Sequence, residues 1–273
     1  MAGTRPRAIL MTSSGQRHRH VARRLADVLD LMAIVIEEKP AAVAAADVRE
    51  SQADQELVAA HFAERVVAEK RWLEDGSFPD VADRLELPCG GINTPETRAW
   101  LEQRKAGVLL LYGTRIVRPP ILSLYPDCVV NMHLGLSPYY RGSATNFWPL
   151  VEGEPECVGV TFHIATPEVD AGPVLAQIRA PVEIDDNAQD IGTKAIAAAA
   201  DVFGDVVRAF LAGTTNGQAQ TGSGRVYRRR DFNANAVRRM RQNFASGMIA
   251  DYLAEKTERD GARPIVALPG ATP

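Results

Sequence analysis

The sequence has few cysteines, little net charge and no long apolar run, and each shortage excludes a class of protein. Its three cysteines have no C-x-x-C spacing, so we expect thiols in a reducing compartment, and neither a disulfide framework nor a zinc site. A formal net charge of -3 gives no general attraction to nucleic acid or to membranes. No apolar run reaches membrane length and no signal peptide is recognisable, which predicts a cytoplasmic protein.

What the chain does contain is an alternation of short apolar runs with segments of helical spacing. Residues 7–13, 31–36, 107–112 and 157–164 have the pattern of strands, and residues 16–29 have that of a helix. This order predicts an α/β fold with a Rossmann-like sheet flanked by helices. A long helical insertion follows the second strand over residues 41–76, and we expect it to cover the sheet; a role in the acceptor pocket or in a dimer contact stays open.

Polar side chains with catalytic potential come where another apolar run ends, at residues 128–142. Alternation along an extended chain puts Asn131 and His133 on the same side. The strand predicted at residues 157–164 is followed by Asp170, which lies in a turn before Gly172. An amide, an imidazole and a carboxylate form a plausible set for group transfer to an amine. Residues 143–151 should form a short helix, with Phe147 beside the cleft and Trp148 in the core.

Four motifs in this order resemble the formyltransferases that use 10-formyltetrahydrofolate. They are Asn131–Met132–His133, the loop from Ser137 to Gly142, Gly159 to His163, and Asp170 to Pro173. The resemblance implies Asn131, His133 and Asp170 as catalytic residues and no need for a metal, with His163 as structural support. It implies a mostly parallel sheet, a catalytic domain over residues 1–213, and a C-terminal extension over residues 214–273 that is partly helical with a frayed end.

The resemblance also implies which residues bind the two substrates. For 10-formyltetrahydrofolate these are two loops that would grip and cover the pterin ring, comprising Gly113, Thr114, Arg115, Ile116, Val117, Ala165, Thr166, Glu168 and Val169. For the acceptor they are Ser13, Gly15, Ser137, Tyr139, Arg141 and Gly142. The arginine-rich segment 225–241 is expected to be a solvated face, not a nucleic-acid site.

The implied reaction is formyl transfer to a primary amine or hydroxylamine of a small-molecule acceptor, such as an amino-sugar nucleotide or a specialised metabolite. Glycinamide ribonucleotide and methionyl-tRNA remain alternative acceptors, although the turn from Ser13 to His20 and the helical pattern of the C-terminal extension depart from those two branches. A non-catalytic folate-binding protein is the alternative of another class. A nicotinamide dehydrogenase is disfavoured because no G-x-G-x-x-G follows the first strand. No nucleic-acid or membrane partner is expected, and a homodimer stays open.

Overall fold

The computed structural model describes residues 5–39, 51–222 and 224–267. Its strands are β1 Arg7–Thr12, β2 Asp30–Glu37, β3 Asp83–Leu87, β4 Val108–Tyr112, β5 Val129–Leu134, β6 Tyr140–Gly142, β7 Gly159–Ile164, β8 Val174–Arg179 and β9 Arg225–Tyr227. Its helices are α1 Gln16–Val28, α2 Gln52–Trp72, α3 Pro95–Glu102, α4 Pro119–Leu122, α5 Trp148–Glu152, α6 Ala188–Leu211, α7 Ala234–Ala245, α8 Met248–Ala254 and α9 Lys256–Ala262.

Seven of these strands form one sheet in the order β3-β2-β1-β4-β5-β7-β8. The pairs from β3 to β5 are parallel, and β7 and β8 are antiparallel additions at one edge. The predicted mostly parallel α/β fold is therefore confirmed. The chain leaves β1 toward β2 and leaves β4 toward β5, so a crevice opens at the carboxyl ends of these strands, where ligands bind in folds of this kind.

The central strands are buried on both faces because helices cover both sides of the sheet. In β1, Ala8 and Leu10 pack into one hydrophobic cluster, while Ile9 and Met11 pack into the other. Such strands consist of continuous apolar runs, which explains why the sequence signal was an unbroken run and not an alternation.

A local capping signal fixes the start of α6, whereas α5 begins later than expected. Asn187 caps α6 by accepting hydrogen bonds from the backbone N–H groups of Gln189 and Asp190, and the Asp190 side chain completes a capping box. The helix expected over residues 143–151 begins later, at Trp148. Pro149 is compatible only with the first helical turn, and Ala144 has a positive φ of 58°, so the preceding residues form turns instead.

The helical insertion and the C-terminal extension pack against each other. Residues 40–50 of the predicted insertion lie outside the described residues, and the rest forms α2, which packs on α6 and α7. Arg238 pairs with Asp54 of α2, and Nη2 of Arg241 lies 2.7 Å from Oε1 of Glu64. Several arginines of segment 225–241 therefore bind carboxylates of the same chain, and their side chains remain exposed, as expected of a solvated face. The domain division at Gly213 stays a prediction.

Val266 and Gln218 lie along the outer edge of β8. The backbone N–H of Gln177 donates to the carbonyl oxygen of Val266 at 2.6 Å, and the backbone N–H of Val266 donates to Oε1 of Gln177 at 3.0 Å. Gln218 pairs with Val174 at the other end of the strand. None of the helices in the described part of the chain is both long and apolar enough to span a membrane.

Candidate active site

Asn131 and His133 point to the same side of β5, as the alternation predicts. Nδ2 of Asn131 lies 3.0 Å from Nε2 of His163, and Nδ1 of His133 lies 3.4 Å from Oδ1 of Asp170. His163 stands opposite Asn131 in the antiparallel pair of β5 with β7. Three segments that are far apart in the sequence thus meet at one point.

Asp170 is held at this point by its own backbone and by Gly142. Its φ is 51°, in the left-handed region that aspartate tolerates better than most residues. The backbone N–H of Gly142 donates to Oδ2 at 3.2 Å, which leaves Oδ1 facing the two histidines. The carboxylate side chain is only 11% exposed, so its charge acts on its neighbours with little screening by water.

His163 connects the amide to the carboxylate. Its Nε2 lies between Nδ2 of Asn131 and Oδ1 of Asp170, at 3.0 and 3.7 Å, and its Nδ1 lies 3.0 Å from the carbonyl oxygen of Ile164. With the hydrogen on Nδ1, the ring donates to Ile164 and accepts from Asn131. The structure therefore gives His163 direct contact with two of the three predicted catalytic residues.

Burial and charge set the protonation states of His133 and Asp170. Burial lowers the pKa of His133, and the opposing effect of Asp170 does not restore it to the ordinary value. Burial raises the pKa of Asp170, but the neighbouring His163 and His133 outweigh this, so the net shift is downward. A neutral imidazole beside an ionised carboxylate follows at neutral pH. The Nδ1 edge of the ring then faces Asp170, and the Nε2 edge faces Thr145.

Thr145 and Gly135 were not identified from the sequence, yet both contact His133. Oγ1 of Thr145 lies 3.3 Å from Nε2 of His133, and the same hydroxyl donates to the carbonyl oxygen of Leu134. A Cβ atom at Gly135 would lie 2.8 Å from Nε2 and 2.7 Å from the Thr145 side chain, so only glycine fits there.

These side chains lie in a cavity of about 1160 Å³. On one side, the residues predicted to bind the folate form its wall, namely Gly113, Thr114, Arg115, Ile116, Val117, Ala165, Thr166 and Val169; Glu168 does not line it. Asn93 braces the first of these loops, because its Nδ2 donates to the carbonyl oxygen of Ile116 at 2.9 Å and its Oδ1 accepts from the N–H of Arg118 at 2.7 Å.

Most of the residues predicted to bind the acceptor lie elsewhere. Gly142 lines the cavity, whereas Ser13, Gly15, Ser137, Tyr139 and Arg141 do not. The carbonyl oxygen of Ser137 accepts from Gln177, and the Tyr139 hydroxyl donates to the carbonyl oxygen of Pro264. Tyr139 therefore fastens the C-terminal extension, and within residues 137–142 the cavity is lined by Gly142.

The opposite wall of the cavity comes from segments without a recognisable motif. It includes Arg17 of α1, the α2 residues His61, Phe62 and Arg65, then Phe147, and from the C-terminal extension Arg229, Arg230 and Phe232. Positive charge from α1 thus reaches the cavity through Arg17. No group of three or more His, Cys, Asp or Glu side chains within residues 5–39, 51–222 and 224–267 has the geometry to hold a metal.

Comparison with known proteins agrees with this arrangement. The family model described as formyl transferase matches residues 91–207. The methionyl-tRNA formyltransferase of Synechococcus elongatus is 28% identical over 144 residues, which are 50% of this chain and 43% of that protein. The methionyl-tRNA formyltransferase of Thermodesulfovibrio yellowstonii is 30% identical over 115 residues, which are 42% of this chain and 37% of that protein. The chain thus spans less than half the length of these relatives.

Solved structures share the fold over most of the chain. Glycinamide ribonucleotide transformylase 1 from Symbiobacterium toebii has a TM-score of 0.53 at 20% identity, covering 81% of this chain and 95% of that one. The N-formyltransferase from Helicobacter canadensis, in complex with folinic acid and dTDP-3-aminofucose, has a TM-score of 0.54 at 17% identity, covering 88% and 80%. Residues 91–207 of this chain are therefore similar to the formyl transferase family.

Proposed function

We propose that this protein transfers a formyl group from 10-formyltetrahydrofolate to a primary amine or hydroxylamine of a small-molecule acceptor. The observation that carries the proposal is the meeting of Asn131, His133 and Asp170 within one cavity, between the loop at residues 113–117 and the opposite wall that α2 helps to form. An amide donor, a neutral imidazole and a buried carboxylate are the groups that acyl transfer to an amine requires.

The folate side of the cavity fits a flat bicyclic ring with polar edges. Its floor is apolar, with Leu111, Met132 and Leu122, and its volume exceeds what a single small ligand fills. Among the described residues, the backbone N–H groups of Arg115 and Ile116 have no hydrogen-bond partner, so they are available to acceptor atoms of the ring. The Helicobacter canadensis neighbour, crystallised with folinic acid, supports the same donor class.

Asn131 is the group that would stabilise negative charge on the formyl oxygen. When bound, 10-formyltetrahydrofolate supplies an electrophilic formyl carbon on a nitrogen that can leave. Nδ2 of Asn131 carries two hydrogens, and one of them is directed at His163, which fixes the amide plane and leaves the other for the cavity. Loss of one such donor typically costs on the order of 100- to 1,000-fold in rate.

His133 and Asp170 would move the proton. The neutral Nε2 of His133 accepts a proton from the attacking amine, and Asp170 stabilises the resulting imidazolium through Nδ1–H. The same imidazolium then returns the proton to the departing nitrogen. In this scheme Asp170 stays ionised throughout, in agreement with its lowered pKa.

A small-molecule acceptor is favoured over a transfer RNA by the arginines of the C-terminal extension. Arg238, Arg239 and Arg241 bind carboxylates of α2 and α5, so their charges are partly neutralised within the chain. A nucleic-acid surface would need such charges free for phosphates.

The test is a panel of amines incubated with the protein and 10-formyltetrahydrofolate. The panel contains amino-sugar nucleotides, hydroxyornithine-like amines and glycinamide ribonucleotide, and mass spectrometry measures formylated product. Asn131→Ala should abolish product formation, and Asp201→Asn, an exposed carboxylate paired with Arg24, is the matched control. Binding of folinic acid without any product would favour the non-catalytic alternative, and absence of both would contradict the proposal.

A further inference from the structure

The wall of the cavity opposite the folate loops carries a cluster of four rings. His61, Phe62, Phe147 and Phe232 lie with their ring centroids 5.0–5.9 Å apart in five contacting pairs. They come from α2, from the segment before α5 and from the C-terminal extension, and all four line the cavity. Burial lowers the pKa of His61 to about 4, so this wall is uncharged at neutral pH. We call it the aromatic wall.

Positive charge lies directly beside the aromatic wall. The Arg65 guanidinium stands 5.0 Å from the ring centroid of Phe62, and Nε of Arg65 and the Arg17 guanidinium share one oxygen of Glu69. Two cations therefore face a single carboxylate. Burial is the main reason that the pKa of Lys39 is lowered to about 8, and the charges of Arg17 and Arg65 lower it further.

The charge of the whole cavity has the same sign. Of the described residues that line it, five are arginines, and the sole carboxylate is that of the predicted catalytic Asp170. The full sequence has a net charge of -3, so the positive lining is local to the cavity. A cleft lined by one sign of charge attracts ligands of the opposite sign.

The aromatic wall is next to the reacting groups but is built largely outside the segment shared with the family. Phe147 is two residues from Thr145, which contacts His133, so the wall adjoins the proposed proton carrier. By contrast, α2 and residues 229–233 lie outside the matched residues 91–207. If members of the family share the formyl donor and differ in the acceptor, the folate loops would lie in the shared segment and the aromatic wall largely outside it.

We propose that the aromatic wall binds the acceptor by a flat unsaturated ring that carries an anionic group, with the ring on Phe62, Phe147 and Phe232 and the anion on Arg65 and Arg17. The identification of this ligand as the acceptor rests on the proposed formyl transfer. The expectation that the wall binds a ring with an anionic group does not rest on it. Two sources share this chemistry, a nucleotide and a simple aromatic acid, and the experiment below distinguishes them.

The test measures dissociation constants by titration calorimetry on the intact chain, with saturating folinic acid to occupy the folate side. The probes are thymidine 5′-monophosphate, thymidine, ribose 5-phosphate and phenyl phosphate. We expect the monophosphate to bind at least about tenfold more tightly than thymidine and than ribose 5-phosphate, because it alone of the three presents both ring and anion. If phenyl phosphate binds as tightly as thymidine 5′-monophosphate, the ligand is a simple aromatic anion. If phenyl phosphate binds more weakly, the ligand is a nucleotide.

Variants separate the ring from the anion. Arg65→Gln should weaken the binding of thymidine 5′-monophosphate about tenfold and leave the affinity for thymidine unchanged. Phe232→Leu should weaken the binding of thymidine 5′-monophosphate and of thymidine, and it should leave the affinity for ribose 5-phosphate unchanged. If Phe232→Leu lowers the melting temperature, Phe62→Leu is the second variant. Arg239→Gln removes an exposed arginine of the same extension that pairs with Glu152, and it should change nothing.

Equal affinity for ribose 5-phosphate and thymidine 5′-monophosphate, or no binding of any probe, would overturn the proposal. So would Arg65→Gln and Arg239→Gln having the same effect. Failure of formyl transfer is separately visible, because Asn131→Ala should lose the reaction and keep probe binding.

Discussion

Replacing Asp170 with asparagine tests the proposed proton transfer with little disturbance of the fold. Asparagine has nearly the same shape, tolerates the left-handed φ of 51°, and can still accept the hydrogen bond from the backbone N–H of Gly142. It cannot hold an imidazolium, because it carries no charge. The variant therefore isolates the electrostatic contribution of Asp170.

The geometry gives the expected size of the effect. His133 and Asp170 are 3.4 Å apart. At an effective dielectric constant of 20 to 40, a pair of unit charges at this distance interacts by about 2.5–5 kcal/mol. The proton carrier gains this energy only once it is protonated, so the loss falls on the reaction step. We expect kcat to fall on the order of 100- to 1,000-fold, with KM for the amine nearly unchanged.

The assay is steady-state formyl transfer to whichever amine of the panel is accepted, at saturating 10-formyltetrahydrofolate. The melting temperature shows whether the variant is folded, and Asp201→Asn is the control for loss of one negative charge. A folded Asp170→Asn protein that keeps more than about one tenth of kcat would refute the role given to this carboxylate.

Three further predictions follow from the geometry of the cavity. Gly135→Ala should abolish transfer and destabilise the fold by about 1–3 kcal/mol, because its Cβ would collide with Nε2 of His133 and with Thr145; denaturant unfolding measures this, and wild-type stability would contradict it. Asn93→Ala should weaken folinic acid binding about tenfold while kcat changes less, since Asn93 braces the loop at residues 113–117; calorimetry and kinetics separate the two. His61 is buried with its pKa lowered from 6.5 to about 4, so its contribution to stability is complete above pH 6.5 and declines as the pH falls toward 4. Between pH 7 and 5 it should account for about 2 kcal/mol of the loss in unfolding free energy, and His61→Phe should remove that share; an unchanged pH slope in urea unfolding would contradict this.

The sequence predicts those features that depend on local spacing. Alternation placed Asn131 and His133 on one side of a strand, because this depends on residues only two positions apart. The motif resemblance extended this to Asp170, which meets His133 although 37 positions separate them.

The aromatic wall could not be predicted in this way. Phe62, Phe147 and Phe232 meet through the packing of α2 on α6 and α7, and their spacing has no period that a sequence pattern could reveal. The acceptor residues inferred from the loop at Ser137–Gly142 show the converse. Tyr139 satisfies the composition of a binding loop, but its hydroxyl bonds to Pro264.

The chain segment that lies against β8 has a consequence for self-assembly. An edge strand with free N–H and C=O groups is a template on which a second polypeptide can extend the sheet. Here Val266 and Gln218 occupy part of that template from within the same molecule. A second copy that extended the sheet at the β8 edge would first have to displace this segment.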